Sequence, residues 1–194
     1  MAKAELNKVS IRLESGGHTF SPAQCIEAAG AVEVVVSTFK TTLMPAELFA
    51  EDDAKHILTA VGCAPAVNES VVSSEPQEGI VAVMAISTAC YDTLTAHYGA
   101  RLRFTSPLME AVDISDGMAL HLDKDVLYVR IYGDGLRFAE AMEVSSDGDI
   151  LYYLESINRV YDIYNMYARA TGDTARIKRV AGRCFRNLEI VKVG

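Results

Sequence analysis

Two short glycine-containing segments of this sequence have a physical route to a ligand. The first is Glu14-Ser15-Gly16-Gly17 and the second is Gly133-Asp134-Gly135. Glycine has no side chain and adopts positive φ angles, so a turn built from it brings backbone N–H groups close to an anion such as a phosphate. The candidate nucleotide-binding residues are therefore Glu14, Gly16, Gly17, Gly133, Asp134 and Gly135. The alternative is that both segments are ordinary hairpin turns, and the spacing alone leaves both readings open.

Other reactive residue types lack the spacing of a catalytic or metal site. The four cysteines are far apart and form no C-x-x-C pair, which argues against structural zinc and favours reduced thiols. Asp113, Asp116, Asp123 and Asp125 are close in sequence but do not follow the ligand order of a calcium-binding EF-hand, so we interpret them as solvated turns. We expect no metal site and name no catalytic residue.

Composition limits the class of partner. The chain has 194 residues and a net charge of −8, and an acidic surface repels the phosphate backbone of nucleic acid. Basic residues gather late in the chain, where the open readings are a solvated helix face and a site for an anion or acidic partner: Arg176, Lys178, Arg179, Arg183 and Arg186. The N-terminus lacks the apolar stretch of a signal peptide, and the apolar run 80–86 is too short to span a bilayer. We expect a cytoplasmic protein that neither spans a membrane nor binds nucleic acid.

Two segments resemble each other and indicate an internal duplication. Residues 9–21 align without a gap to residues 127–139, so that Arg12, Gly17 and Phe20 fall on Arg130, Gly135 and Phe138. Each copy has the alternating pattern of a strand, a glycine turn and a second strand. The polar stretch before Gly117 is the best boundary, which predicts lobes at 1–116 and 117–194.

Periodicity predicts the elements that position the turns. In the first half we expect strands at 8–14, 18–22, 31–38, 66–74, 79–86 and 102–105, and helices at 43–49, 51–61, 88–97 and 108–112. The strand at 79–86 is almost wholly apolar, which is typical of a strand covered on both faces. In the second half we expect strands at 118–122, 126–132, 136–144 and 188–193, a long helix at 149–169 and a second at 176–183.

Several segments in the same order resemble the DUF3822 proteins of Bacteroidetes. The segments that carry the likeness are Phe39–Phe49, with its Thr-Leu-Met-Pro-Ala-Glu-Leu-Phe stretch, then Phe104–Leu108, the hairpin and helix of Leu127–Tyr167, and Cys184–Ile190. That family is uncharacterised and similar in fold to the actin-like ATPases. The resemblance implies an α/β fold of duplicated RNase H-like lobes, and it transfers no function.

The resemblance to actin-like ATPases also assigns roles to the two turns. Those proteins bind nucleotide phosphates with two hairpins, the second of the form Asp-x-Gly-x-Gly, which Gly133-Asp134-Gly135 resembles. The aspartate that opens this loop falls here on Ile131, and that of the first loop falls on Glu14. The Gly-Gly motif that accepts adenosine is absent from 170–174 and 180–182, and the strand and glycine turn between Tyr167 and Arg183 are expected to be shortened.

These observations predict a catalytically degenerate actin-like domain, more a scaffold or assembly protein than an enzyme. It would need no cofactor and would bind a protein partner or a second copy of itself. The alternative is an ATPase or small-molecule kinase that binds ATP and Mg²⁺ through the two glycine turns.

Overall fold

The computed structural model describes residues 7–12 and 30–191. The chain divides into two compact units after Met109. The predicted division lies slightly later, after Asp116, and its interpretation as a boundary between duplicated lobes stays a prediction.

The N-terminal unit contains a parallel and an antiparallel sheet. Its described strands and helices are, in chain order, β1 (Asn7–Arg12), β2 (Val32–Ser37), β3 (Thr41–Pro45), α1 (Ala54–Ala60), β4 (Glu69–Ser73), β5 (Ile80–Ser87), α2 (Thr88–Tyr98) and β6 (Leu102–Thr105). The parallel sheet has the order β1-β2-β6, and the antiparallel sheet has the order β3-β5-β4. The rest of the predicted first hairpin, residues 13–22, lies outside the described residues.

Strand β5 is covered on both faces, as its sequence predicted. Successive side chains of a strand point to opposite faces, so an apolar run supplies two surfaces. On one face, β5 packs against β2 and α2 through Ala82, Met84 and Ile86. On the other face, it packs against α1 through Val81, Val83 and Ala85.

The helix predicted at 43–49 was wrong. Residues Thr41–Pro45 form β3, in which Leu43 stands opposite Ala82 of β5, and the 3₁₀ turn that follows covers only Ala46–Leu48. Pro45 is tolerated there because β3 is an edge strand, where a missing N–H breaks few ladder bonds. The pairing with β5 overrides the local helical signal.

The C-terminal unit is one mixed sheet with two helices. Its elements are β7 (Gly117–Asp123), β8 (Val126–Gly133), β9 (Gly135–Glu143), α3 (Asp147–Tyr161), β10 (Tyr167–Gly172), α4 (Thr174–Ala181) and β11 (Asn187–Ile190). The strand order is β11-β10-β7-β8-β9. Strands β7, β10 and β11 are parallel, and β8 and β9 are antiparallel to their neighbours.

The two units share a pattern of parallel strands. In each, the first strand pairs with a later parallel strand, and that strand pairs with the last, giving β1-β2-β6 and β7-β10-β11. A helix precedes the last strand in both cases, α2 in the first unit and α4 in the second. This correspondence matches β1 with β7, whereas the alignment of residues 9–21 with 127–139 matches β1 with β8. The duplication therefore stays a prediction.

Helix α3 covers one face of the C-terminal sheet. Ile150, Leu154 and Ile157 lie at helical spacing and are buried against the sheet, each burial contributing roughly 1.5–3 kcal/mol. The helix begins with a capping box: the Ser146 side chain accepts from the Asp149 N–H, and the Asp149 carboxylate accepts from the Ser146 N–H.

The long helix predicted at 149–169 ends at Tyr161 instead. Asp162 takes a left-handed conformation with φ 51°, and its carboxylate accepts two hydrogen bonds from the Asn165 side chain at 2.8 and 2.9 Å. The chain then enters β10, which runs for six residues to Gly172. The expected shortening between Tyr167 and Arg183 is therefore wrong, since a strand, a glycine turn and a helix all lie there.

Candidate functional site

The predicted phosphate turn is the exposed connection between β8 and β9. Gly133 and Gly135 face each other across the hairpin, and Asp134 at its tip is exposed. Gly135 has φ 101°, a conformation that favours glycine, and open space surrounds it. Glu14, Gly16 and Gly17 lie outside the described residues, so the meeting of the two turns stays a prediction.

Ile131 occupies the position that the resemblance gives to the loop's aspartate. Its side chain is fully buried in the core that α3 covers. An alkyl side chain offers no oxygen to Mg²⁺ or to a water molecule. A carboxylate at this position would also be placed in an apolar interior, where an unpaired charge is strongly disfavoured.

The direction of the strands places the two turns of the C-terminal sheet at opposite edges. Strand β8 runs antiparallel to β7, so the 133–135 turn lies at the edge where the parallel strands β7, β10 and β11 begin. Ligands of open α/β sheets bind beyond the carboxyl ends of parallel strands. That carboxyl edge instead carries the turn Asp123-Lys124-Asp125, between β7 and β8.

The turn at the carboxyl edge is ordered by its own backbone. Asp123 is buried, and Lys124 takes a left-handed conformation with φ 50°. The Val144 N–H donates to the Asp125 carbonyl at 2.8 Å, which ties the turn to the end of β9. The prediction that these acidic residues form solvated turns is wrong for Asp123, because its side chain is buried.

Two arginines of α4 bind the start of α3 at the same edge. Arg176 Nε lies 2.8 Å from Asp147 Oδ1, and its Nη1 donates to the Lys124 carbonyl at 3.0 Å. Arg179 Nη2 lies 3.0 Å from Asp147 Oδ2. The hydrogen bonds from Arg176 and then Arg179 lower the pKa of the Asp147 carboxyl. Part of the late basic segment therefore binds an anion of the chain itself.

Gly172, the last residue of β10, lies very close to the backbone of Leu122 at this edge. It has φ 76°, and a Cβ atom there would lie 2.1 Å from the Leu122 carbonyl oxygen. The next residue, Asp173, donates its N–H to the same Leu122 oxygen at 2.8 Å and accepts from the Arg176 N–H at 2.9 Å, which caps α4. A glycine directly followed by a helix-capping aspartate is the sequence signal that identifies this connection between β10 and α4.

Neither turn of the C-terminal sheet has the complete Asp-x-Gly-x-Gly pattern. At the carboxyl edge Asp123 supplies the aspartate, but Asp125 and the fully buried Leu127 stand where the glycines belong. At the opposite edge the glycines are present and Ile131 replaces the aspartate. The candidate site is thus the carboxyl edge, an acidic surface organised by Arg176 and Arg179. In the described ranges, no group of three His, Cys, Asp or Glu residues could hold a metal ion.

The sequence of this chain matches a known protein family. A family model described as "Protein of unknown function (DUF3822)" matches residues 29–159, a range that includes both turns of the C-terminal sheet. The chain belongs to the DUF3822 family. The resemblance found in the sequence is thereby confirmed. No curated protein matches this DUF3822 chain.

Two solved structures are similar to this DUF3822 protein to different degrees. One, from Bacteroides thetaiotaomicron, is described as a protein with actin-like ATPase fold and unknown function; it has a TM-score of 0.67 and 20% identity, over 83% of this chain and 68% of that one. Another is the cytoplasmic domain of EpsL, an inner membrane component of the type II secretion system of Vibrio cholerae, with a TM-score of 0.41 and 13% identity, over 84% and 68%. The predicted actin-like α/β fold is confirmed by the first. None of the helices in the described part of the chain has the length and apolar character needed to span a bilayer.

Proposed function

We propose that this DUF3822 protein is a cytoplasmic, catalytically degenerate actin-like domain that acts as a scaffold or assembly protein. The observation that carries the proposal is the separation of aspartate from glycine in the C-terminal sheet. Asp123 lacks a glycine two and four residues after it, and Gly133 lacks an aspartate two residues before it, where Ile131 stands. A phosphate loop needs both in one turn, since the carboxylate orients the metal or water and the glycines admit the phosphate.

Electrostatics at the carboxyl edge also disfavour a polyphosphate. Asp125 stands at a position where the loop pattern has glycine, and Asp147 and Asp173 lie at the starts of the two helices. Arg176 and Arg179, the cations that could offset this charge, are hydrogen-bonded to Asp147. Phosphate oxygens brought to this edge would meet carboxylates and displace existing ion pairs.

The test is a comparison of the native chain with Asp123→Asn, which keeps the shape of the side chain and removes its charge. We expect millimolar Mg-ATP to leave the melting temperature of both proteins unchanged, and phosphate release to be equal for both. A rise in the native melting temperature, together with hydrolysis that Asp123→Asn abolishes, would contradict the proposal.

The second candidate is a nucleotide-dependent ATPase or small-molecule kinase that uses the predicted glycine turns. The exposed Gly135, with open space around it, favours this reading because nothing in the described structure blocks its backbone. Gly135→Asp separates the candidates, since it adds a side chain and a negative charge at the turn. If the native chain binds ATP and Gly135→Asp does not, the second candidate is correct.

Exposed aliphatic side chains support a protein partner. Leu48, Val61 and Val67 are more than half exposed, and all three belong to the segment between β2 and α2. Val160 of α3 is also exposed, but it stands alone among the large aliphatic side chains described in its unit that are more than half exposed, whereas these three share one segment. A group of exposed apolar side chains is a feature of protein-binding surfaces. We therefore assign the partner-binding role of the scaffold to this segment.

Photo-crosslinking in the native host tests that role. A photoreactive residue replaces Leu48, Val61 or Val67 in turn, and the exposed Asp92 of α2 serves as the matched control. We expect one defined product from the three apolar positions and none from position 92. A product made of two copies of the chain would identify a homodimer, and equal labelling at all four positions would refute the assignment.

A further inference from the structure

Two arginines stand on either side of an alanine on the second face of the C-terminal sheet. Arg130 of β8 is opposite Ala119 of β7, and Ala119 is opposite Arg169 of β10. We call these three residues the arginine row. Neighbouring strands are about 4.8 Å apart, so the two arginine backbones are separated by about 10 Å with only a methyl group between them.

The arginine row lies on the face opposite the core. In each strand the flanking residues, such as Val129 and Ile131 beside Arg130, belong to the core that α3 covers. Because side chains alternate, the row points to the other face. The charged groups are therefore presented together and away from the apolar packing that holds the sheet.

A cavity of about 260 Å³ lies over the row. Ala119 lines it between Arg130 and Arg169, and Thr171 and Asp113 also contribute to its lining. Pockets for drug-sized ligands measure about 300–1,000 Å³, so this one suits a smaller molecule. A larger side chain at position 119 would occupy the space between the two guanidinium groups.

Arg130 is held rigidly at the cavity. It is only 5% exposed, and its Nη1 donates to the Glu110 carbonyl oxygen. The side chains of Tyr132 and Glu110 also favour its charged form. Burial lowers the pKa of this guanidinium, yet an arginine remains protonated in proteins. The site therefore contains a fixed and largely desolvated positive charge.

Arg169 is the more adjustable of the two arginines. Its Nε lies 3.7 Å from Glu189 Oε2, which is longer than a hydrogen bond, and Glu189 also accepts a hydrogen bond from the Tyr167 hydroxyl. An ion pair of this length at a half-exposed position contributes little to stability. The guanidinium of Arg169 can thus engage a ligand without a large loss elsewhere.

The remaining polar groups restrict the ligand further. The Thr171 hydroxyl is 2.9 Å from His121 Nδ1 and 3.3 Å from the Leu120 carbonyl, so its orientation is defined. The Asp113 carboxylate disfavours a densely charged polyanion and can accept a hydrogen bond from a hydroxyl group. One oxyanion next to a hydroxyl group matches this combination.

We infer that the cavity over the arginine row binds a small hydroxylated molecule that carries one carboxylate or phosphate group. Arginine is suited to this role because its planar fork binds both oxyanions with two parallel hydrogen bonds. The two guanidinium groups receive the oxyanion above Ala119, and Asp113 accepts from the hydroxyl group. This site is on the sheet face and is independent of ATP chemistry at the carboxyl edge.

Isothermal titration calorimetry at constant ionic strength tests the site with three probes. Glycerol 3-phosphate and glycerate present the two oxyanions, and glycerol presents the hydroxyl groups alone. We expect one or both charged probes to bind the native chain and glycerol not to bind. Preference between the two charged probes identifies the source of the oxyanion, and failure of both overturns the inference.

Matched arginine variants connect binding to the row. Arg169→Gln is expected to weaken binding by about tenfold or more, as loss of a charge-assisted hydrogen-bond pair does. Arg159→Gln, which removes an exposed arginine of α3, serves as the control and is expected to leave binding unchanged. Equal weakening by both variants would show a non-specific charge effect and refute the site.

A space-filling variant separates shape from charge. Ala119→Val keeps both arginines and fills the gap between them, so binding is expected to be lost while circular dichroism shows a folded protein. If Ala119→Val does not fold, the comparison of Arg169→Lys with Arg169→Gln replaces it, with partial binding expected only for lysine. Binding that survives Ala119→Val in a folded protein, or that Arg169→Lys and Arg169→Gln weaken equally, would contradict the inference. The ATP assay of Asp123→Asn is unaffected by either outcome.

Discussion

The two hairpin turns of the C-terminal sheet differ in exposure and in their position on the sheet, and neither difference follows from their sequences. The 133–135 turn is rich in glycine, exposed and surrounded by open space. The 123–125 turn has no glycine, yet Asp123 is buried and Arg176 hydrogen-bonds to the Lys124 carbonyl. The turn that resembles a phosphate loop lies at the edge where the parallel strands begin, and the other lies at their carboxyl edge.

Glycine is required at the two edges for two different reasons. At Gly135 the reason is local, because a tight hairpin requires a positive φ angle. At Gly172 the reason lies in the tertiary structure, because the Leu122 backbone approaches too closely to leave room for a side chain. A glycine motif in a sequence therefore indicates a ligand loop only when the topology places it at the ligand-binding edge of the sheet.

The largest expected effect comes from restoring an aspartate to the glycine turn. Ile131→Asp places a carboxylate in the apolar core, and we expect the free energy of unfolding to fall by about 4 kcal/mol or more. Urea unfolding followed by tyrosine fluorescence measures it. Ile131→Val is the control, with an expected loss of about 1 kcal/mol. If Ile131→Asp were as stable as Ile131→Val, the position would not be part of the core, and the degeneracy argument would fail with it.

A pair of glycine substitutions compares the two edges directly. Gly172→Ala directs a Cβ atom into the Leu122 carbonyl and is expected to destabilise the protein by about 3 kcal/mol. Gly135→Ala meets no neighbour and is expected to cost about 1 kcal/mol, from its φ angle alone. Thermal unfolding of the two variants side by side checks the order. Equal losses would indicate that both glycines serve only backbone conformation.

The smallest expected effect is the pH dependence of the Asp147 ion pairs. Arg176 and Arg179 lower the pKa of this carboxyl below its ordinary value of 3.8, so its ionised form stabilises the folded state. That contribution is present above the ordinary value and is lost as the pH falls through the lowered one. We expect Asp147→Asn to reduce the melting temperature slightly at pH 7, and the difference from the native chain to disappear in strong acid.

The exposed Asp134 provides the control for this pH dependence. Asp134→Asn changes the same functional group at the opposite edge, where the structure shows an exposed hairpin tip. We expect its melting curve to follow that of the native chain throughout the acid range. A loss at Asp134→Asn comparable to that at Asp147→Asn would mean that net charge, rather than the ion pairs with α4, determines the effect.

Most strands and helices could be predicted because their patterns are local. The apolar run of β5 and the helical spacing of Ile150, Leu154 and Ile157 each correspond to an observed element. The failures have tertiary causes. Residues 43–45 pair with β5, and the spacing of Tyr161 and Tyr164 continues a helical period through Asp162, where the helix in fact ends.

The candidate site was less accessible to prediction than the fold. Gly133, Asp134 and Gly135 were predicted correctly as a hairpin turn, but their edge of the sheet depends on strand order, which a single sequence does not specify. The arginine row shows the same limit. Arg130 and Arg169 are far apart in sequence, and only the register of β8, β7 and β10 brings them to the two sides of Ala119.

Strand β5 has a consequence for how the N-terminal unit can be divided. One face of this strand completes the core around β2 and α2, and the other completes the core under α1. A protein engineer who excised residues 41–87 as a detachable module would therefore open both cores at once. We expect the amide protons of β5 to be the last of this unit to exchange with deuterium, and its two cores to melt as one cooperative block.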